Sequence, residues 1–227
     1  MDAVNWILSH RRRLLDILGA TPLLLLNLAG IAAAGGQIEG EVGGAFGPLD
    51  TTLRLALVAQ IGTVLFLSQQ IVLIVTRRLP HQTDWRIAPV AATLFGIAFP
   101  VLFILLPRAP QSREAAAVSA VLTVVGMAGS LWTLSYLGLS FSLLPQARGL
   151  RLGGPYGIIR HPLYLFEQVA CVGIALQYQQ PGALGLAAFG FLAQFPRMCF
   201  EEQILRAAYP EYSAYQRRTA RLIPGLY

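Results

Sequence analysis

Apolar residues gather in six stretches separated by short polar breaks, and the lengths of those stretches carry the first structural information. A helix crossing a hydrocarbon core of roughly 30 Å needs about 20 predominantly apolar residues. The stretches run from about Leu14 to Ala34, Leu53 to Thr76, Ile87 to Leu106, Ala116 to Leu144, Pro162 to Tyr178, and from Pro181 towards Phe200. This pattern predicts an all-α, polytopic integral membrane bundle of five to six transmembrane helices. Only QQPG separates the last two stretches, which predicts a tight helical hairpin with one member tilted or falling short of a full crossing. No repeat or low-complexity tract interrupts the series, so the chain reads as N-terminal transmembrane helices over 1–136 and a C-terminal core over 137–227.

Composition agrees with a membrane protein. Of the 227 residues, 55% are hydrophobic and 12% charged, against roughly a quarter charged in a soluble domain. The net charge of +6 comes from 17 basic residues, all arginine, but they are scattered between apolar stretches instead of forming a stripe, which argues against nucleic acid as a partner. They read instead as topology determinants. The break from Gly35 to Asp50 carries Glu39, Glu41 and Asp50 and no basic residue, whereas the next carries Arg77, Arg78 and Arg86. With Arg148, Arg151 and Arg160, then Arg206, Arg217, Arg218 and Arg221, the arginines put both termini on the cytoplasmic side, that of the inner membrane if the source is bacterial. Arg108 and Arg113 dissent. The first stretch follows Arg11, Arg12 and Arg13 as a signal peptide would, but its apolar run of about 20 residues exceeds the 7 to 15 of such a segment, so it is taken as a span. Cys171 and Cys199 form no metal-binding cluster with the histidines, and no metal is expected.

Polar residues concentrate in two places. GPYGIIRHPLY, Gly154 to Tyr164, is a loop feeding a helix, since Pro162 suits a first helical turn. Beyond it His161, Tyr164 and Glu167 recur at helical spacing on one face. Two readings stand: a ligand site approached closely by the backbone at Gly153, Gly154 and Gly157, or an interfacial turn with Arg160 among lipid headgroups, His161 as a cap and the tyrosines in an aromatic belt. Glu167 favours the first, because a carboxylate about one turn inside a span is costly unless it has a role. The second cluster, RMCFEEQILRAAYPEYSAYQRR from Arg197 to Arg218, places Arg197 and Glu201 one turn apart as an expected ion pair, with Glu202 about 100° round the helix. A stripe of Tyr209, Tyr212 and Tyr215 follows.

Together, GPYGIIRHPLY, the Arg197 to Arg218 segment and a final LIP resemble the C-terminal core of the isoprenylcysteine carboxyl methyltransferase family, with related phospholipid methyltransferases. LGLSFSLLPQARGL, Leu137 to Leu150, resembles the lead-in of bacterial members, so the likeness covers roughly Leu137 to Pro224. It implies an S-adenosylmethionine-dependent membrane methyltransferase with a cytoplasmic cofactor pocket and a tunnel for a lipophilic acceptor arriving from the bilayer. Carried onto this chain, the resemblance implies cofactor contacts at Tyr156, at His161, Pro162, Leu163 and Tyr164, at Glu201, and along Arg148, Gly149, Leu150 and Arg151. It implies an acceptor role for Arg197. Phe166 stands where the family has glycine and is expected to reshape the tunnel, and Tyr209-Pro210 replaces a Phe-Gly pair.

The residue types suit this chemistry. A guanidinium such as that of Arg197 orients a carboxylate bidentately, and a carboxylate such as Glu201 pairs with an ammonium. An amine or thiol acceptor would need a base, for which Glu167 and Glu202 are the candidates. Two rivals differ in cofactor: a sterol-reductase-like enzyme using NADPH, and a lipid-binding or transport protein using none. Oligomeric state and acceptor identity are left open.

Overall fold

The structure is a computed structural model, and it describes residues 3–43, 51–107, 112–178 and 181–225. Asp50, Arg108 and the Gln179-Gln180 turn, which entered the reading of topology, lie outside the described residues. The described residues form helices α1 (Ala3–Gly19), α2 (Thr21–Gly43), α3 (Thr51–Thr76), α4 (Ile87–Ala98), α5 (Arg113–Leu137), α6 (Pro155–Ile158), α7 (Pro162–Leu176), α8 (Pro181–Ala208) and α9 (Tyr212–Arg218). Strands β1 (Gln82–Thr83) and β2 (Gln146–Ala147) pair antiparallel.

Four helices are long and apolar enough to cross a membrane, over Thr21–Gly40, Leu53–Thr76, Arg113–Ser140 and Pro181–Ala208, and two shorter apolar helical segments, Ile87–Phe103 and Pro162–Leu176, lie among them. The membrane bundle is therefore all-α, as expected, but three boundaries move. The first span begins at Thr21 instead of Leu14, because the chain turns at Ala20 and restarts with Pro22 in the first turn of α2; Leu14 belongs to a separate helix. The third stretch changes from α-helix to a 3₁₀ helix at Phe99–Leu105, where Pro100 removes a donor from the α ladder. The fourth ends at a 3₁₀ turn over Gly138–Ser140, where Gly138 takes a φ of 53°, so Phe141 to Leu144 leave the helix and enter the loop toward β2.

Helix α7 lies against α5 at a seam of small residues. Gly126 meets the backbone of Ala170, Gly173 meets Ser119 and Thr123, and Ser119 Oγ donates to the Gly173 carbonyl at 2.7 Å. Close backbone approach of this kind replaces the hydrophobic drive that is missing inside a bilayer. At the same seam Phe166 sits over Gly129, with its ring 6.4 Å from that of Trp132. The expectation that Phe166 reshapes a tunnel is thereby corrected: the glycine that is absent from α7 is supplied by α5, and the ring fills the notch between the two helices.

Connectivity collects the polar segments at one end. The start of α2, the end of α3, both strands, the end of α5 and the start of α7 meet there. A buried charge cluster ties them: Arg77 Nε donates to Asp16 Oδ2 at 3.0 Å, and Arg148 pairs with the other Asp16 oxygen. Arg77 and Arg148 are 3% and 1% exposed. Burial pulls the Arg77 pKa down to about 10, against the opposing pull of Asp16. The α1 helix is thus fastened to the end of α3 and to the loop after β2.

Candidate active site

From this end a cavity of about 580 Å³ reaches into the bundle. Gly149, Leu150, Arg151, Tyr156, His161, Leu163, Tyr164, Glu167, Arg197 and Glu201 all line it, so two motifs far apart in sequence share one space. Tyr212 and Tyr215 close the same end. Away from the motifs the walls are mostly apolar, with Leu23, Leu26 and Ala33 of α2, Phe66 and Leu67 of α3, Ile97 of α4 and Phe99 of the 3₁₀ helix, interrupted by Asn27, Gln70 and Ser130.

The loop before α7 is built to hold this shape. Gly154 adopts a φ of 57°, in a region L side chains rarely enter, and a Cβ there would strike the Tyr136 ring. Ile159 bridges to Ala220, Arg160 N donates to the Ala220 carbonyl at 2.8 Å, and His161 N to that of Arg221 at 3.1 Å. The C-terminal segment therefore forms part of the site. Tyr215 donates its hydroxyl to the Tyr156 carbonyl at 2.6 Å, and burial holds its pKa up at about 12, which keeps the donor protonated.

The two adjacent glutamates have different surroundings. Glu202 is 1% exposed and accepts from Arg160 Nε at 2.9 Å, His161 Nε2 at 3.1 Å, Gln216 Nε2 at 2.9 Å, and Arg221 Nε and Nη2 at 3.1 and 2.8 Å. It does not line the cavity, and both oxygens are committed. The base role considered for Glu202 is corrected to an anchoring one, and Arg160, read as a possible headgroup ligand, is the anchor's partner. Glu201 faces the cavity. One oxygen accepts the Tyr164 hydroxyl, and the other stands 4.0 Å from His161 Nδ1 with the side chain 25% exposed.

The expected Arg197–Glu201 ion pair is not formed. Arg197 instead donates through Nη1 to Gln194 Oε1 at 2.9 Å and lies with its guanidinium carbon 5.1 Å from the centre of the Tyr164 ring. Tyr164 connects the two, its face to Arg197 and its hydroxyl to Glu201. Arg197 Nε is buried with no partner among the described residues. Glu167 lines the cavity near this guanidinium with no described hydrogen bond of its own. Two other expected contacts fall elsewhere. The Arg148 side chain turns away into the Asp16 cluster, where its Nε also donates to Gln146 Oε1 at 3.0 Å, leaving only its successors Gly149 to Arg151 on the cavity. Pro162 starts α7 from a buried position outside the lining.

Sequence reasoning missed the share taken by α2 and α3, although Asn27 and Gln70 inside apolar stretches were a signal. It also missed Asp16, a carboxylate inside the first apolar stretch, although nothing local names Arg77 and Arg148 as its partners. Among the described residues no group of His, Cys, Asp and Glu is arranged to hold a metal ion.

The donor set fits S-adenosylmethionine. Glu201 offers a carboxylate oxygen suited to an ammonium, Tyr156, Tyr212 and Tyr215 line the same cavity, and Ser140 Oγ is a buried, unpartnered polar atom on that lining.

An all-α membrane bundle with a polar pocket at one end and an apolar extension into the bilayer is the class that fold and site define. Residues 115–212 match the family described as phospholipid methyltransferase, which takes in the isoprenylcysteine carboxyl methyltransferase-like membrane enzymes. The chain is also similar to the cobalt-zinc-cadmium resistance protein CzcN of Cupriavidus metallidurans, 30% identical over 112 residues, which cover 48% of this chain and 52% of that protein. The nickel-cobalt-cadmium resistance protein NccN of Alcaligenes xylosoxydans xylosoxydans is 30% identical over 117 residues, 48% of this chain and 53% of that protein. The match thus spans about half the length of these relatives.

Proposed function

We propose that the protein transfers a methyl group from S-adenosylmethionine to a lipophilic acceptor that enters from the bilayer, in the manner of an isoprenylcysteine carboxyl O-methyltransferase. The observation that carries this reading is the Tyr164-centred arrangement, which sets a cofactor-type carboxylate, Glu201, and an acceptor-type guanidinium, Arg197, on one cavity whose far walls are apolar.

Glu201 would hold the cofactor's amino group, and Tyr156, Tyr212, Tyr215 and the Gly149 to Arg151 segment would supply the rest of its wall. When bound, the cofactor supplies an activated methyl group. The chain's own work is to orient the acceptor and exclude water, and proximity of this kind lowers a barrier by several kcal/mol. Arg197 orients an acceptor carboxylate with its unpartnered Nε and a terminal nitrogen. Glu167, on the same stretch of wall, takes the proton if the acceptor is an amine or thiol. Both termini are on the cytoplasmic side.

Purified protein should be stabilised against heat by S-adenosylhomocysteine and not by NADPH, and membranes given labelled cofactor should yield a labelled lipid. Stabilisation by NADPH alone favours a reductase, and by neither, a binding protein.

A further inference from the structure

One polar feature of the cavity lies outside the family-matched segment and outside the chemistry just described. On the wall built by α2 and α3, Asn27 and Gln70 face the cavity among Leu23, Leu26, Phe66 and Leu67. They are 2% and 7% exposed, and both sit about two turns inside the cytoplasmic ends of their helices, close to the depth of Glu167 on α7. Asn27 Nδ2 donates to Gln70 Oε1 at 3.0 Å and, at 3.4 Å, to the Leu67 carbonyl.

Two primary amides can exchange two hydrogen bonds. This pair exchanges one. Gln70 Nε2 donates to no described residue and Asn27 Oδ1 accepts from none, so both keep hydrogen-bonding capacity beside an apolar space where an unmet polar group is costly. Ser130 of α5 repeats the pattern. It is 0% exposed, lines the same cavity, and its hydroxyl has no partner, not even the carbonyl one turn back that Thr123 and Ser135 use on the same helix. The register of α3 against α5, with Gly62 opposite Met127 and Gln69 Nε2 bonded to Ser135 Oγ at 2.8 Å, brings Ser130 to within about two turns of Gln70. No charged side chain lines the α2 and α3 wall among the described residues.

We propose that Asn27, Gln70 and Ser130 form a specificity subsite that binds an uncharged hydrogen-bonding group of the acceptor, a carbonyl or hydroxyl. The inference rests on the reading of the cavity as an acceptor pocket and narrows it: the acceptor is a lipophile with a neutral polar function in addition to its methylated group, in place of a plain hydrocarbon chain behind a single head. Gln70 Nε2 donates to that group, and Asn27 Oδ1 or Ser130 Oγ accepts its proton if it is a hydroxyl.

The test is direct binding to the full chain in detergent micelles, with three probes of one chain length: methyl palmitate, hexadecan-1-ol and hexadecane. The wild type should bind the ester or the alcohol about tenfold more tightly than the hydrocarbon, the gain of one well-made buried hydrogen bond. Preference for the ester points to the Gln70 donor, and for the alcohol to the Asn27 and Ser130 acceptors. Gln70→Met should reduce the preference for the ester and Ser130→Ala that for the alcohol, each severalfold, and both should leave hexadecane binding unchanged. Ser130→Ala is the decisive variant, since removal of an unpartnered hydroxyl costs the fold nothing. Equal binding of all three probes by the wild type, or a preference that survives both substitutions, overturns the subsite. Because the readout needs no methyl transfer, failure of the proposed activity shows up separately, as absence of stabilisation by S-adenosylhomocysteine.

Discussion

Tyr164 donates its hydroxyl to Glu201 across the groove between α7 and α8. The same ring carries the Arg197 guanidinium on its face, so one tyrosine fixes the positions of a carboxylate and a cation. Tyr164→Phe keeps the ring and loses the hydroxyl. It should weaken S-adenosylhomocysteine binding by about 0.5 to 1.5 kcal/mol and leave the acceptor KM unchanged. Arg197→Lys should do the reverse, preserving cofactor affinity while raising the acceptor KM or lowering turnover, since the planar fork is lost and the charge retained. Calorimetry beside methyl-transfer kinetics checks both, and equal cofactor losses in the two variants would return the cluster to a purely structural role.

The neighbours Glu201 and Glu202 should separate cleanly on mutation. Glu201→Gln leaves the fold intact and reduces cofactor affinity by about 1.5 to 3 kcal/mol, the range for a charged hydrogen bond. Glu202→Gln removes the buried charge that meets Arg160 and Arg221, and the unbalanced guanidiniums should cost about 3 to 5 kcal/mol of stability. Thermal unfolding in detergent distinguishes them: a large drop for Glu202→Gln only.

Asp16 is the carboxylate between two buried arginines, and its loss strands both. Asp16→Ala should release α1 and open its Arg11, Arg12 and Arg13 run to trypsin, with a stability loss of about 3 to 5 kcal/mol. Limited proteolysis followed by mass spectrometry reads the outcome. Cleavage at wild-type rate would mean that the cluster is not what holds α1.

Gly96 of α4 gives Arg197 its place. A Cβ there would lie 2.7 Å from Nη1 and 2.9 Å from Cδ of that side chain. Gly96→Ala therefore displaces a flexible guanidinium and not a backbone, which predicts near-normal folding, unchanged S-adenosylhomocysteine affinity and an acceptor KM raised roughly tenfold, the effect of losing about one oriented hydrogen bond. Size-exclusion in detergent and steady-state kinetics decide it; an unchanged KM would remove Arg197 from the acceptor site.

The spans, the arginine-rich end and the two polar motifs were legible in the sequence, because each follows from local composition measured against a fixed length, the thickness of a bilayer. Proline and glycine corrected the details at Pro22, Pro100 and Gly138, where a missing donor or a positive φ ends a run that hydropathy alone would continue. What only the tertiary structure decided was which way each helix faces. Glu201 and Glu202 differ by about 100° around α8, and helical spacing cannot tell which of them meets the cavity until α9 and the Arg221 segment fold over the other. In the same way Arg197 and Glu201 had the spacing of an ion pair, but Tyr164 from another helix came between them, and Phe166 found its glycine on α5. Asp16, Arg77 and Arg148, like Asn27 and Gln70, are partners across long sequence separations. No periodicity records such pairings, since they depend on helix packing that the bilayer permits but does not specify.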